Sequence, residues 1–305
     1  MALVAMADDI LATAPVLRFA PSPNGALHLG HAYSALMNAR LAAELGGRLI
    51  LRIEDLDRAR CKARFEVAIV DDLAWLGIHF PAPWRRQSEH GDDYAAALAR
   101  LDGLGLVYPC FCTRSEVARA SDGRRDPDGA PLYPGTCRAR SWAEAHARLA
   151  RGEKAAYRLA MRRALEAAPA DLSWREFGEG AAPFERAATP AVWGDVVLSG
   201  RDLAASYHLA VVVDDALQRV TDVVRGRDLL EATAVHRLLQ ALLGSPAPRY
   251  HHHQLVLDPS GAKLSKSRQS ASLAELRGEG LSPGEIRAAL GFGAGGAGGL
   301  AVEFS

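Results

Sequence analysis

Near its N-terminus the chain runs from a short apolar strand signal, LRFAP (17–21), through AYSALMNARLAAELGG (32–47) into a second strand signal, LILRIEDL (49–56). The middle stretch is an amphipathic helix closed by Gly46 and Gly47. Strand, helix, strand at this spacing is a βαβ unit, and such units build parallel sheets. A chain that starts its core this way is expected to be an α/β protein with a doubly wound parallel sheet.

The remaining pattern fits that frame in two halves. A second helix is predicted over ARFEVAIVDDLAWLGI, with Val67, Val70, Leu73, Ala74 and Leu76 on its apolar face. From about 110 to 190 the texture changes to short polar pieces such as SDGRRDPDGAPLYPGTC, which read as an inserted subdomain. Strand texture returns in YHLAVVVDD (207–215) and RVTDVVRG (219–226), and DLLEATAVHRLLQALLG reads as a helix. The expected organisation is 1–109 and 191–244 as the two halves of one catalytic domain, 110–190 as the insert, and 245–305 as a short helical and flexible remainder. After Ser267 only 38 residues remain, at or below the ~40 at which an independent domain normally needs staples. No further domain is expected there.

Composition narrows the class. The 305 residues are 49% hydrophobic and 24% charged, enough for a sizeable core. The formal net charge is zero, against a protein that holds nucleic acid by bulk electrostatics, though a local basic patch is compatible with it. MALVAMADDILATAP carries Asp8 and Asp9 and has no positive n-region, so it does not read as a secretory signal. No stretch reaches the roughly 18 to 20 apolar residues of a spanning helix. Four cysteines, two of them in CFC, suit reduced thiols in the cytoplasm. A cytoplasmic monomer without membrane contact is expected.

Three places carry chemistry. Between the first strand and its helix, Pro21, Pro23, Asn24 and Gly25 force an irregular turn, and HLGH (28–31) then opens the helix. A helix N-terminus offers unpaired N–H groups and a positive dipole end, which suit phosphate. Gly30 permits close approach to the backbone, and His28 and His31 can both donate to phosphate oxygens. The second place is GAKLSKSRQS (261–270). Of 36 basic residues only four are lysines, and Lys263 and Lys266 sit three apart here. Their compact ammonium groups suit a mobile loop that stabilises charge on a leaving pyrophosphate. The third is Cys110, Cys112 and Cys137. Neighbouring Cys-x-Cys pairs make poor disulfides but good chelators, and three thiolates leave tetrahedral zinc one ligand short. Cys61 reads as an inert thiol, and HHH (251–253) as structural, leading into a strand at QLVLD.

In this order, RFAPSPNGALHLGH, LRIEDLD, RQSE, YPCFCT, VVVDD and KLSKS resemble the motif set of the glutamyl branch of class I aminoacyl-tRNA synthetases, over roughly residues 17 to 268. The resemblance implies a Rossmann-like catalytic domain. It implies that Arg18 pairs with the side-chain carboxylate of L-glutamate, for which a bidentate fork is suited, and that Ser22 adds a hydroxyl contact. It further implies that Glu54 holds the substrate ammonium, that Tyr207 and Arg225 make further contacts around the amino acid, and that His28, Gly30, His31 and Lys266 bind ATP, accompanied by Mg. The spacing CFC…YPGTC resembles the short members of the group, in which a tyrosine, here Tyr133, completes one structural zinc (Zn) site.

Because no anticodon-binding domain is expected after the KLSKS segment, the chain most resembles those short paralogues, the glutamyl-Q tRNA(Asp) synthetases. They activate glutamate with ATP and esterify a hydroxyl of the queuosine base in the anticodon stem-loop of tRNA(Asp). Two other readings stay open: a minimal or truncated glutamyl-tRNA synthetase that charges a tRNA 3′ end, and a catalytically idle paralogue that binds tRNA or a partner. The intact set His28, His31, Glu54, Lys263 and Lys266 argues against the idle one. His31, which the short members can lose, does not discriminate between the other two.

Overall fold

Four buried residues form strand β1 (Val16–Phe19), and the chain leaves its end through an irregular turn into helix α1 (Leu29–Glu44) and strand β2 (Arg48–Ile53). The two strands pair in parallel, Arg18 opposite Ile50, so the expected βαβ unit is formed. The computed structural model describes residues 14–178, 181–257, 271–293 and 303–304. In chain order there follow α2 (Ala63–Trp75), β3 (Arg85–Arg86), α3 (Gly91–Gly103), β4 (Val107–Cys110), α4 (Arg114–Ala120) and α5 (Trp142–Ala150). Next come β5 (Ala156–Leu159), α6 (Met161–Ala167), β6 (Ser173–Gly178), β7 (Ala181–Ala187) and β8 (Val197–Ser199). The last part comprises α7 (Tyr207–Leu217), β9 (Asp222–Gly226), α8 (Ala232–Leu243), β10 (Arg249–His253), β11 (Val256–Leu257), α9 (Leu273–Gly278), α10 (Pro283–Ala289) and β12 (Glu303–Phe304).

Among the described residues the main sheet has seven strands in the order β3-β2-β1-β9-β10-β6-β7. Every neighbouring pair is parallel except β6 with β7. Successive side chains of a strand point to opposite faces. Leu17 and Val224 accordingly pack with Met37 and Leu41 of α1, while Val16 and Val223 pack with Ala234 of α8. Both faces are thus covered by helices, which is why the strands read as continuous apolar runs rather than alternating ones.

A second, antiparallel sheet joins β4, β5 and β8. Beside it a small core of its own holds Cys110, Phe111, Val117, Tyr133, Cys137, Ala145 and Ala155. The two sheets interleave along the chain. The hairpin β6–β7 lies within 110–190 yet extends the main sheet, with Glu176 opposite Tyr250, whereas β8 lies beyond residue 190 and pairs with β5.

One sequence expectation is corrected. YHLAVVVDD is helix α7, not a strand. Ser206 caps it, its hydroxyl accepting from the Leu209 amide at 3.4 Å, and Leu209 through Asp215 are all buried. A helix buried on every side loses its polar stripe, so an apolar β-branched run cannot be told from a strand by period. The strand expected at QLVLD is present as Val256–Leu257, which pairs antiparallel with Glu303–Phe304, and the HHH tract before it belongs to a strand of its own, β10. Among the described residues no helix is long and apolar enough to cross a membrane.

Candidate active site

From β1 the chain winds out through α1 to β2 and β3, whereas β9 and β10 lie on the other side of β1. The connections diverge between β1 and β9, and a crevice opens at the carboxyl ends of the strands at such a switch point. A cavity of about 560 Å³ lies there. Its walls come from the end of β1 with the following turn, the start of α1, Glu54 beyond β2, Tyr207 on α7, and the ends of β9 and β10.

The start of α1 is built by its two histidines. The Nδ1 of His28, the N-cap residue, accepts from the Gly30 amide at 3.1 Å, and the Nδ1 of His31 accepts from the His28 amide at 3.2 Å. This is a capping box in which imidazoles replace the usual hydroxyl and carboxylate. With both Nδ1 atoms accepting, neutral rings carry their protons on Nε2 as donors. A Cβ on Gly30 would lie 3.0 Å from His28 Cε1 and 3.2 Å from its Nδ1, so the close approach that requires glycine is to the His28 ring itself.

Arg18 is nearly buried, and its Nε donates to Asp215 at 3.2 Å. Arg18 also lines the cavity. Asp215 also accepts from Arg52 at 2.7 Å, and Arg52 donates to Glu54 at 3.3 Å. Its neighbour Asp214 accepts from Arg85 at 2.7 Å, Gln87 at 2.8 Å and Tyr94 at 3.0 Å. The segments LRIED, RRQSE and VVVDD, distant in sequence, therefore meet in one buried charge network. Burial opposes ionisation of Asp215, but Arg18 and Arg52 outweigh it and hold its carboxyl below the usual carboxylate range. For Glu54 the balance goes the other way. Burial raises its carboxyl above the ordinary value despite Arg52 and Arg18, so a cationic group in the cavity would supply the missing compensation.

Arg225 and Tyr207 form the far wall. Arg225 places all five N–H donors on protein acceptors: His252, Tyr207, His236, Leu229 O and Thr233. Its charge, rather than a spare donor, faces the cavity. Tyr207 Oη accepts from it at 3.2 Å, which leaves the phenol proton to donate. Arg18, Ser22, His28, Gly30, His31, Glu54, Tyr207 and Arg225, all singled out in the sequence, line this one cavity. Lys263 and Lys266 lie outside the described residues. The segments on either side of them do reach the site: Val256 lines the cavity, and Ser272 bridges to His28. Sequence reasoning missed the roles of Arg52, Asp214 and Asp215 as the scaffold of Arg18, although two adjacent acids closing an apolar run were a usable signal.

The cysteines form a separate centre. The sulfurs of Cys110, Cys112 and Cys137 lie within 4.8 Å of one another, Cys112 and Cys137 at 3.6 Å. Tyr133 Oη lies 3.4 Å from Cys110 Sγ and 3.9 Å from Cys112 Sγ, and accepts from the Cys137 amide at 2.7 Å. A tetrahedral ion with ordinary zinc–sulfur and zinc–oxygen bonds needs edges of about 3.8 Å and about 3.5 Å, so this donor set fits a thiophilic dication. Burial and the neighbouring thiols push Cys112 up to about 11. For Cys137 burial is outweighed by hydrogen bonds, first from the Phe111 amide, which draw it down to about 7. The tyrosine itself is pushed up, mainly by burial.

Comparison with known proteins agrees with this geometry. The family described as tRNA synthetases class I (E and Q), catalytic domain, matches residues 16–293. A glutamyl-Q tRNA(Asp) synthetase of Rhodobacter capsulatus is 44% identical over 288 residues, covering 90% of this chain and 99% of that protein. Glutamate–tRNA ligase 1 of Halorhodospira halophila is 39% identical over 87% of this chain and 56% of its own. Among solved structures, a glutamate tRNA ligase from Elizabethkingia meningosepticum in complex with its amino acid superposes with a TM-score of 0.72 at 27% identity. The match covers 91% of this chain and 60% of that ligase, so the chain spans less than two thirds of its length. A catalytic-domain match over nearly the whole chain, with a cavity at the switch point of the sheet, places the chain in the class I tRNA synthetases of the E and Q type, a family of ATP-dependent ligases.

Proposed function

We propose that the chain activates L-glutamate with ATP and transfers it to the queuosine base at the wobble position of tRNA(Asp). The observation that carries this reading is the cavity at the β1/β9 switch point, which is lined at once by the guanidinium-bearing Arg18, the carboxyl-bearing Glu54 and the imidazoles of His28 and His31. A glutamate molecule needs that set: a cation for its side-chain carboxylate and an anion for its ammonium. In this reading Arg18 takes the side-chain carboxylate, with Ser22 beside it, and Glu54 takes the ammonium. Tyr207, oriented by Arg225, donates to the amino acid.

His28 and His31 donate from Nε2 to the phosphates of ATP at the N-terminus of α1, with Gly30 leaving room. The α-carboxylate of glutamate attacks the α-phosphorus, the bond to pyrophosphate breaks, and a mixed anhydride of glutamate and AMP forms. Lys263 and Lys266 are assigned to charge on the departing pyrophosphate. In the second step a hydroxyl attacks the acyl carbon and AMP leaves. No side-chain nucleophile is required, because the anhydride is already activated and positioning carries the rate. The magnesium that accompanies ATP would ride on the nucleotide phosphates. Cys110, Cys112, Tyr133 and Cys137 are proposed to hold one structural zinc that pins the insert.

The relatives named glutamyl-Q tRNA(Asp) synthetase support queuosine as the acceptor, and those named glutamate–tRNA ligase favour a 3′-end-charging alternative. Exchange of labelled pyrophosphate into ATP, tested amino acid by amino acid, checks the first step, with glutamate alone expected to support it. Exchange with a different amino acid, or with none, would overturn the reading. For the second step, transfer of glutamate to tRNA(Glu) that vanishes once its 3′ diol is oxidised would favour the charging alternative.

A further inference from the structure

The three consecutive histidines of β10 have different partners. His251 Nδ1 lies 2.7 Å from the Phe177 carbonyl oxygen and His253 Nδ1 2.7 Å from that of Gln254. His252 turns instead to a carboxylate. Its Nδ1 lies 2.9 Å and 3.0 Å from the two oxygens of Glu176, and its backbone amide donates to the same group at 2.9 Å. Glu176 is further fixed by Trp174, whose indole N–H donates at 2.7 Å.

The proton positions follow from which groups can only donate or only accept. Ionised Glu176 only accepts, so His252 Nδ1 carries a hydrogen. On the other side of the ring, Arg225 Nε lies 3.3 Å from His252 Nε2, and an arginine only donates. Nε2 is therefore the bare acceptor, with Thr233 Oγ1 also 3.0 Å away. Both ends of the imidazole require one tautomer, and burial with the Arg225 charge keeps the ring neutral. Arg225 then donates to Tyr207 Oη at 3.2 Å. Tyr207 and Arg225 line the cavity; Glu176 stands behind them on the hairpin β6–β7.

Building on the substrate reading above, we infer that Glu176 is a positioning residue of the amino-acid subsite, acting only through His252. It holds His252 as an acceptor, His252 holds the plane of Arg225, and Arg225 turns the phenol proton of Tyr207 toward the bound amino acid. With the opposite tautomer, an N–H on Nε2 would oppose the N–H on Arg225 Nε, and two donors face to face force the guanidinium to tilt. A hydrogen bond lost or a site displaced in this way typically costs about 10- to 100-fold.

The test is Glu176→Gln, which keeps shape but replaces an acceptor oxygen with a donating amide. The KM for glutamate in pyrophosphate exchange should rise about 10- to 100-fold while the KM for ATP stays within about twofold. His252→Phe should reproduce the effect, and the double variant should be no worse than His252→Phe alone. Unchanged glutamate KM in Glu176→Gln, equal losses for ATP and glutamate, or multiplicative losses in the double variant would overturn the inference. A measurement on the unmutated protein does not depend on the variants folding. With ¹⁵N-labelled histidine, His252 should show its proton on Nδ1, and a proton on Nε2 would overturn the inference. Absence of glutamate-dependent exchange in the unmutated protein would refute the substrate reading, whereas the tautomer is read without substrate and tests the inference on its own.

Discussion

Replacing Arg18 with lysine separates the roles that the structure gives this side chain. Arg18 anchors itself to Asp215 through Nε at 3.2 Å and lines the cavity, where its fork is assigned to the substrate carboxylate. Lysine keeps the charge but loses the second hydrogen bond of the fork and the anchor. A charge-assisted hydrogen bond is worth about 1.5 to 3 kcal/mol. At 1.4 kcal/mol per tenfold, kcat/KM for glutamate should fall about 10- to 150-fold. Stability should suffer less, because Asp215 keeps Arg52 at 2.7 Å and is not left as an unpaired buried charge. We expect a loss of about 1 to 2 kcal/mol, against the ~3 to 5 kcal/mol of an orphaned ion. The assay is pyrophosphate exchange with glutamate and ATP varied separately, alongside thermal unfolding. A glutamate KM that does not move, or one that moves together with the ATP KM, would refute the assignment.

Other perturbations probe the remaining parts. In Glu54→Gln, exchange activity should fall at least about tenfold while the fold is not harmed. Burial raises this carboxyl in the folded protein, so the fold binds its proton more tightly than the unfolded chain does, and the penalty grows as pH rises from the unfolded value up through the folded value and is full above it. The variant's Tm should therefore equal or exceed that of the parent at pH 7, with the difference shrinking on acidification; a lower Tm at pH 7 would contradict this. Gly30→Ala pushes a methyl into the His28 ring at 3.0 Å, so the KM for ATP should rise about tenfold with that for glutamate unchanged, and equal changes in both would count against the assignment of His28 to ATP. Metal analysis should find one zinc per chain, lost in Cys137→Ser together with a lower Tm; a parent protein purified without metal and equally stable would overturn the zinc reading.

How far the sequence could be read depended on how local each signal was. The βαβ unit was legible because α1 has a helical period and a glycine stop. The turn residues and HLGH pointed to the cavity because a helix start is a local event. Helix α7 was misread for the opposite reason: Leu209 to Asp215 are buried on all sides, and tertiary packing removed the polar face that marks a helix. Glu176 was invisible because its role depends on β6 pairing with β10 across 74 residues, from Glu176 to Tyr250. His252 was seen only as one of three identical neighbours, and β10, the strand that gives each a different partner, was not read from the sequence. The cysteine cluster was legible in composition and spacing, because a Cys-x-Cys pair and a third cysteine are a local signal for chelation. Arg52, Asp214 and Asp215 were present in recognisable segments, but only the folded chain joins them into one network.

The most direct test of the whole account is transfer of radiolabelled glutamate, with ATP, to tRNA(Asp) that carries queuosine, compared with the same tRNA lacking it. The account predicts label on the queuosine-bearing tRNA alone. Equal labelling of both tRNAs, or labelling of neither, would contradict it.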